Sequence, residues 1–444
     1  MISPTYTYIA GAFKAGKVFK QVPSYPVNSG APQVQRTSET HRLNPEGLVE
    51  ELGTGVPRQD WDVNKGKVSD YPCLSFRQKV DNYTKYTQEF NNGLWQKTGG
   101  FISADRHTGP DGLQSAERFT TQATSTACFI HQNLDVKVTD STIYCSVWVR
   151  DGGGDEGNPG TGYFTMSIFN NSTSTYLDYL TVDIVNGIAV DGGPKGIMVK
   201  EYPDKWFRVG FFTETSPGSS GTFQLRLHAG VNSPESASFP NYLNTGLASG
   251  QQIQFWGANI TKTKYAMPYI KADGSFTDLE DDNFHVTGLQ DHVNSPEGIF
   301  FIHLKMAAEN VYLSNSQAVI SLNSSSTTNG IFFNFKSGSP NFAMNITVNG
   351  SSQSFYSQTL DFNEEIKLAV YYKTDYCELF YNGSSVNIDT NFVTFGSRML
   401  QRIDNDNGGG FNPFNEGDLY QMRFYDVRTL SPSQIKELQR DLTQ

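Results

Sequence analysis

The sequence predicts an all-β protein: two tandem antiparallel β-sandwiches of the jelly-roll kind, after an irregular N-terminal segment. Only 18% of the 444 residues are charged, whereas 13% are aromatic, and there are 41 glycines. Short apolar runs show strand-like alternation, and stretches rich in Gly, Ser, Thr and Asn separate them. Aromatic and β-branched residues favour strands, and the separating stretches favour turns. Together these patterns indicate β-structure rather than a helical or disordered chain.

Charge, cysteine spacing and hydropathy exclude several classes of protein. The chain has 34 basic and 45 acidic residues, a net charge of −11, so it has no basic surface for nucleic acid. The four cysteines stand far apart with no CxxC pair, which predicts free, mostly buried thiols rather than disulfides or a zinc site. No apolar run approaches the roughly 20 residues that span a bilayer, and no signal peptide is evident. We expect a protein made in a host cytosol that binds neither nucleic acid nor membrane.

Residues 1–70 are predicted to form an irregular docking segment. They are rich in Pro, Gly and Thr and contain few sizeable apolar clusters. Such a segment cannot bury much of itself, so we expect it to become ordered by lying on another surface. A flexible leader is the alternative interpretation.

Residues 71–275 are predicted to form the first sandwich. Neighbouring residues of a strand lie on opposite faces. In Thr142–Arg150 the aliphatic positions therefore share one face, and Trp148 and Arg150 share the other. Several short strands with Gly- and Ser-rich turns between them indicate an antiparallel sandwich. The same alternation places further polar or aromatic residues opposite the aliphatic face: Gln224, Arg226, His228, Gln254 and Trp256.

Residues 276–444 are predicted to form the second sandwich, after a polar and acidic boundary at 271–283. Asn349-Gly350 and Asn382-Gly383 are favoured two-residue hairpin turns, because both residue types accept positive φ. Ser431 followed by Pro432 predicts the start of a short C-terminal helix, with Ser431 as the N-cap. Ile435 and Leu438 would pack that helix on the sandwich.

Two stretches resemble known families. The run from Thr37 to Asp62 resembles a segment of phage tail-fibre and other virion proteins, which implies a role in docking to the virion. The stretch Asn82–Thr98 resembles the opening of the carbohydrate-binding-module-like jelly roll that usually follows it, as do WFRV at 206–209 and FWGAN at 255–259. The docking candidates within the first run are Arg42, Asn44, Gly47, Pro57, Arg58 and Trp61.

The carboxy-terminal unit resembles the concanavalin-like, laminin-G-like sandwich. The resemblance lies in Leu368–Lys373 leading to Leu379–Gly383, and in the run from Gly417 to Ile435. This resemblance implies a β-sandwich. Virion appendages of the type that these resemblances suggest are usually trimers, so we expect a homo-oligomer and favour a trimer.

Sugar binding requires an aromatic ring to stack on the pyranose and polar groups to bond its hydroxyls. Strand alternation pairs Trp148 with Arg150, and Trp256 with Gln254, while Gln224, Arg226 and His228 form a second polar stripe. These seven residues are the glycan-binding candidates. The alternative is that the tryptophans belong to a core, packed on a second layer or a neighbouring subunit.

Asp404 and Asp406, followed by three glycines, offer carboxylates at i and i+2 to a hard cation such as Ca²⁺. An Asx-rich turn without metal is the favoured interpretation, and no cofactor is required. No distinctive pair of carboxyls, HExxH spacing or Gly-x-Ser-x-Gly elbow predicts catalysis, so we predict a protein that is not an enzyme.

The sequence thus predicts a phage structural protein of a fibre or spike at the virion surface. Its N-terminus would dock to other virion proteins, and its sandwiches would bind host-surface glycans for adhesion. Two alternatives stay open: a capsid decoration or spacer protein without receptor binding, and a polysaccharide depolymerase.

Overall fold

A computed structural model describes most of the chain. The described residues are 6–9, 13–14, 17–18, 33–77, 79–122, 127–134, 142–153, 160–214, 222–229, 238–243, 249–275, 277–291, 293–306, 317–335, 341–359, 365–405, 412–413 and 416–444. Their regular structure is almost entirely antiparallel β-sheet, as the sequence predicts.

The elements follow one another in three groups. The strands before residue 83 are β1 (Tyr6–Ile9), β2 (Phe13–Lys14), β3 (Lys17–Val18), β4 (Gln33–Gln35), β5 (Thr40–Leu43), β6 (Val49–Leu52), β7 (Gln59–Asn64), β8 (Lys67–Arg77) and β9 (Val80–Asn82). Next come β10 (Gln96–Thr98), β11 (Gly100–Thr108), β12 (Gln114–Thr121), β13 (Cys128–Leu134), β14 (Thr142–Asp151), β15 (Tyr163–Asn170), β16 (Thr175–Asp183), β17 (Ile188–Asp191), β18 (Lys195–Glu201), β19 (Phe207–Glu214), β20 (Phe223–Ala229) and β21 (Gln252–Thr261). The last group is β22 (Thr277–Leu279), β23 (Asn283–Val286), β24 (Gly298–Met306), β25 (Gln317–Asn323), β26 (Gly330–Phe335), β27 (Asn341–Val348), β28 (Ser351–Thr359), β29 (Glu365–Lys373), β30 (Tyr376–Tyr381), β31 (Ser384–Asp389), β32 (Arg402–Asp404), β33 (Asn412–Pro413), β34 (Glu416–Tyr425) and the helix α1 (Pro432–Thr443).

The first sandwich consists of two six-stranded sheets. The near sheet, which faces the second sandwich, has the order β11-β12-β21-β14-β19-β18, and the far sheet has the order β10-β13-β20-β15-β16-β17. Between them lies a core that includes Ile143, Leu225 and Phe255. The alternation predicted for β14 and β20 is confirmed, since their aliphatic residues point into this core.

The second sandwich pairs a broad sheet with an opposing sheet. The broad sheet has the order β31-β30-β29-β24-β34-β8-β7, with β1 also beside β34. The opposing sheet has the order β28-β27-β26-β25-β32-β23-β4, with β33 beside β25. Leu74, Ile302 and Phe333 belong to the core between them. Helix α1 covers part of the outer face of the broad sheet, where Ile435 packs in a cluster with Phe301.

Local predictions in this sandwich are confirmed. Asn349 and Gly350 take φ values of 52° and 79° between β27 and β28, and Asn382 and Gly383 take 41° and 84° between β30 and β31. Ser431 caps α1, with Pro432 in the first turn and Gln434 completing a capping box. Local chemistry alone specifies these features.

The structure differs from the sequence expectation in the N-terminal segment. Among the described residues before 71, β4 pairs with β23 of the opposing sheet, and β7 pairs with β8, which in turn pairs with β34 of the broad sheet. Val34 lies opposite Phe284, and Leu74 lies opposite Leu419. Both β4 and β8 obtain a partner strand from residues more than 200 positions away. A local pattern therefore does not reveal them.

A buried cluster of charges fixes this segment to the second sandwich. The carboxylate of Asp282 receives Nη1 of Arg36 at 2.6 Å and lies 3.2 Å from Nη2 of Arg58. The backbone N–H of Arg77 also donates to it, at 3.0 Å. All three side chains of Arg36, Arg58 and Asp282 are buried. A buried carboxylate with these donors holds three separate stretches of chain together.

Two further expectations can be compared with the structure. All four cysteines are free and buried, as predicted. In the described part of the chain, none of the helices has the length and apolar character needed to cross a membrane.

Candidate functional site

A cleft of about 710 Å³ lies where the two sandwiches meet. Its floor is the outer face of the broad sheet, beyond the part that α1 covers. Its roof is the outer face of the near sheet, and the hairpin β5–β6 together with β7 forms one wall. A concave site with a few converging polar groups is the usual location for a ligand.

The floor follows from strand alternation on β8 and β34. Leu74 and Leu419 point into the core, so Ser75 and Asp418 point outward into the cleft. Tyr420 lies two residues further along β34 on the same face and is half-buried. The floor is therefore a polar surface with one prominent aromatic ring.

Asp418 is held as a carboxylate on this floor. Ser75 Oγ donates to its Oδ1 at 2.5 Å, and Arg77 Nη2 does so at 3.1 Å. Burial alone would raise the pKa of Asp418, but the charge of Arg77 and these hydrogen bonds hold it below its ordinary value. Asp418 is thus an ionised acceptor with fixed geometry.

His303 extends the floor on β24. Its Nε2 lies 2.9 Å from Oε2 of Glu365, and its ring centroid lies 4.9 Å from that of Tyr420. Burial lowers the pKa of His303, although Glu365 opposes the shift. The imidazole therefore supports the Tyr420 ring and is itself positioned by Glu365.

The wall is formed by Trp61 and its charged neighbours. The Arg42 guanidinium lies 5.7 Å from the Trp61 ring centroid, and its Nη2 lies 3.1 Å from Oε2 of Glu50. Lys200, from the near sheet, donates to Oδ1 of Asp62 at 2.5 Å. The wall thus consists of an indole that is only 7% exposed and of paired charges around it.

The roof contains a buried indole with an unused donor. Trp148 is 1% exposed, and its Nε1 has no hydrogen-bond acceptor among the described residues. The Arg208 guanidinium lies 4.2 Å from the Trp148 ring centroid and donates to the carbonyl of Met267 at 2.6 Å. A buried N–H without a partner is costly unless a ligand or water satisfies it.

Of the seven predicted glycan-binding residues, four lie on the outer face of the near sheet. The strand face is as predicted, but a second layer covers it, since Val49 of the hairpin and Tyr269 pack in a cluster with Trp148 and Trp256. Trp256 donates Nε1 to Ser115 at 2.9 Å, and Arg150 donates to Gln254 at 2.6 Å. Trp256 and Gln254 are fully buried, so the core alternative describes these tryptophans.

The other three, Gln224, Arg226 and His228, lie on the outer face of the far sheet. The core of the first sandwich separates them from the cleft. Gln224 and His228 are buried, whereas Arg226 is partly exposed. The structure therefore divides the predicted glycan surface between two opposite faces.

The predicted docking residues make contacts within the chain. Asn44 Oδ1 accepts the backbone N–H of Leu48 at 2.9 Å and shapes the β5–β6 turn, where Gly47 takes φ +77°. Pro57 accepts a backbone hydrogen bond from Gln59. Arg58 is fully buried beside Asp282, and Arg42 and Trp61 line the cleft. The motif therefore organises the joint between the sandwiches.

The predicted calcium residues are only partly described. Asp404 is buried; its Oδ1 accepts hydrogen bonds from Ser321 Oγ at 2.6 Å and from Asn323 Nδ2 at 3.0 Å, and its Oδ2 lies 2.5 Å from Arg402 Nε in an ion pair. These groups use the lone pairs of the carboxylate oxygens, so Asp404 is poorly suited to bind a cation. Asp406 lies outside the described residues. Within the described ranges, no three His, Cys, Asp or Glu side chains are grouped so that they could hold a metal.

Sequence reasoning missed most of the cleft. Tyr420, His303, Lys200, Tyr202 and Arg208 line it, and none was singled out. Alternation along β34 would place Tyr420 with the core residues Met422 and Phe424, but a β-bulge between Leu419 and Gln421 turns it to the outer face, so the sequence pattern does not identify it. No local pattern shows that strands from three stretches of chain enclose that face.

Comparisons with known proteins show likeness to β-sandwich domains over about a third of the chain. No family model matches, and no curated protein sequence matches. A carbohydrate-binding module, CBM40, of the Ruminococcus gnavus IT-sialidase bound to α2,3-sialyllactose has 15% identity over 33% of this chain and 83% of that chain, with a TM-score of 0.26. The botulinum neurotoxin serotype G binding domain has 14% identity over 36% of this chain and 40% of that chain, with a TM-score of 0.27. Likenesses this distant carry no argument about the site.

Proposed function

We propose that this protein is a glycan-binding structural protein of a phage fibre or spike, and that the cleft between its sandwiches binds a saccharide of the host surface. The observation that carries the proposal is the half-buried ring of Tyr420 in a cleft whose polar groups Ser75, Arg77 and Asp418 are fixed by hydrogen bonds. Aromatic rings stack on the apolar faces of sugar rings, and carboxylates and guanidinium groups bond sugar hydroxyls.

The charge of the cleft favours a neutral saccharide. Five cationic side chains (Arg42, Arg77, Lys200, Arg208, Lys305) and five acidic ones (Asp60, Asp62, Asp70, Glu365, Asp418) line it, so their formal charges cancel. Two ion pairs join members of this set, Asp418 with Arg77 and Lys200 with Asp62. Side chains in an ion pair can hydrogen-bond a ligand, but together they attract neither an anionic nor a cationic one.

We propose binding without catalysis. The carboxyl of Asp418 is fixed by Ser75 and Arg77, and the imidazole of His303 is fixed between Glu365 and Gln421. Asp418, with its pKa held below the ordinary value and its Oδ1 already accepting from Ser75 and Arg77, is suited to accept hydrogen bonds from a ligand and not to donate a proton as a general acid.

The virion role rests on the resemblance of residues 37–62 to phage appendage proteins. We place the contact with other virion proteins in the N-terminal segment as a whole, because Gly47 and Arg58 are occupied by contacts within the chain. The assembly proposed is a homotrimer at the virion surface.

Four measurements test this proposal. A glycan array probed with the purified chain should identify neutral oligosaccharides, and the same chain should adsorb to host cells. Light scattering should give the mass of a trimer. Electron microscopy of virions labelled with an antibody against residues 276–444 should place this unit outside the shell. Binding to neither glycans nor cells would contradict the adhesive function, and labelling only in disrupted particles would contradict the surface location.

A further inference from the structure

The outer face of the far sheet has an arginine with an unusual environment. Arg226, on β20, lies among three aromatic rings: its guanidinium carbon is 3.3 Å from the Phe169 centroid, 5.0 Å from that of Phe129 and 5.8 Å from that of Tyr176. The side chain is partly exposed, so solvent reaches it. The cleft between the sandwiches lies on the opposite side of this domain.

One neighbour fixes the orientation of the guanidinium. Gln224 Oε1 accepts both Nε and Nη2 of Arg226, at 2.9 Å and 2.8 Å. Gln224 itself donates Nε2 to Oδ1 of Asn133 at 2.9 Å. A planar fork held by an amide and aromatic faces is preorganised, so little side-chain entropy remains to be lost on binding.

Arg226 has no counter-ion in the described part of the chain. No carboxylate there forms an ion pair with it, and none contributes to its electrostatic environment. Burial and, to a smaller extent, the positive charge of Arg226 lower the pKa of the two imidazoles beside it, His131 and His228, so both are neutral. The side chain of Tyr176 is a further hydrogen-bond partner of Arg226. A half-buried cation without a counter-ion is destabilising, and such an arrangement is typical of a site that receives an opposite charge.

A second polar group at the same place lacks a partner. His228 is 1% exposed and its Nε2 bonds Ser167 Oγ at 3.2 Å, but its Nδ1 has no hydrogen-bond partner among the described residues. Its ring lies 5.1 Å from the Phe129 ring, which also contacts Arg226. The site thus combines an unneutralised guanidinium, an unused imidazole nitrogen and aromatic faces.

We propose that this face is a second binding site, which recognises the carboxylate of an acidic sugar through Arg226. The guanidinium would take the anionic group, and the exposed part of Phe129 would contact the apolar side of the sugar ring. The site is separate from the proposed cleft site and differs from it in ligand charge, so either proposal can fail without the other.

The test compares one acidic probe with its neutral counterpart. The full chain is titrated with a galacturonic acid trisaccharide and with the same trisaccharide after its carboxyl groups have been reduced to alcohols. We expect binding of the acidic form that is at least about tenfold tighter, which is the usual scale for one charge-assisted hydrogen bond. Equal affinity for the two forms, or no binding of the acidic form at millimolar concentration, would overturn the proposal.

Variants locate the binding on this face. Arg226→Gln should weaken binding of the acidic trisaccharide about tenfold or more, and Arg226→Lys should weaken it less. The matched control is Arg150→Gln, because Arg150 also bonds a glutamine, Gln254, and lies 5.2 Å from a Trp206 ring, but on the near sheet. Arg150→Gln should leave affinity unchanged, and an equal loss in both variants would contradict the assignment.

The experiment also distinguishes a variant that fails to fold from a loss of binding, and an acidic-sugar site from a site for any oxyanion. If Arg226→Gln does not fold, the comparison of acidic and reduced trisaccharide on the unmodified chain, together with Arg226→Lys, still decides the matter. Inorganic sulfate serves as a competitor. If it displaces the trisaccharide at equal concentration, the site binds free oxyanions and the assignment to an acidic sugar is overturned.

Discussion

Nη1 of Arg36 lies 2.6 Å from Oδ1 of Asp282, although 246 positions separate the two residues in the chain. Both side chains are almost completely buried. Arg58, from the motif that resembles virion proteins, shares the same carboxylate. The N-terminal segment is therefore part of the second sandwich, and it carries the hairpin that forms one wall of the cleft.

Asp282→Asn should destabilise the protein strongly. The substitution removes the charge that compensates two buried guanidinium groups, and breaking a buried ion pair in this way costs about 3–5 kcal/mol. Urea unfolding monitored by tryptophan fluorescence measures the effect. The control is Asp291→Asn, which removes an exposed pair with Arg398 and should cost less than about 1 kcal/mol. Equal effects would contradict the structural role of Asp282.

Glu117→Gln should stabilise the protein at alkaline pH. Glu117 is 2% exposed, its Oε2 has no hydrogen-bond partner in the part of the chain that the structure describes, and burial raises its pKa to about 8. The unfolded chain loses this proton near pH 4.5 while the folded chain keeps it, so stability falls as the pH rises from about 4.5 to about 8. The glutamine variant avoids that loss, which is at most about 5 kcal/mol for a shift of this size.

Chemical denaturation at several pH values checks this expectation. The advantage of Glu117→Gln over the unmodified chain should be largest near pH 8 and should vanish by about pH 4.5. Glu89→Gln, at an exposed position nearby, should show no such dependence. If the difference in free energy of unfolding between Glu117→Gln and the unmodified chain stays constant with pH, the carboxyl is ionised in the folded protein and the expectation is wrong.

Gly47→Ala should disturb the joint between the sandwiches. Gly47 has φ +77°, and an added Cβ would lie 2.7 Å from Cγ2 of Val68 and 2.9 Å from Cγ of Pro203. The combined strain and overlap should cost about 1–3 kcal/mol. Gly53→Ala, where a Cβ would meet nothing within 4 Å, should change stability by less than about 0.5 kcal/mol. Differential scanning calorimetry compares the two variants, and similar melting temperatures would argue against tight packing at Gly47.

The fold was largely predictable from local pattern. Alternation in β14 and β20 identified the inward faces, and Asn-Gly pairs and Ser431 identified two turns and a helix start. These features depend on residues close in sequence, so their chemistry is visible in the sequence itself.

The site was less predictable, because it depends on contacts between distant parts of the chain. Alternation placed Trp148 and Trp256 on the correct face of the near sheet, but it gave no indication that Val49 and the β5–β6 hairpin cover that face. Likewise, nothing in the sequence of β34 marks Tyr420 as a site residue, because the elements that enclose it, β7, β8 and the near sheet, come from other parts of the chain. An outward-facing residue is exposed only if no other segment packs on it, and that is a property of the tertiary structure.

The dissociation constant of the Tyr420→Ala variant for a neutral oligosaccharide is the most direct test of whether the cleft between the sandwiches binds a saccharide. The probe is the neutral oligosaccharide that binds most strongly on the array, titrated into the unmodified chain, Tyr420→Ala and Phe355→Ala. Phe355 is the matched control, because it is an aromatic side chain 51% exposed on the opposing sheet, away from the cleft. Loss of the stacking ring should weaken binding about tenfold in Tyr420→Ala and leave Phe355→Ala within about twofold of the unmodified chain. Equal dissociation constants for all three proteins would contradict a saccharide site in the cleft.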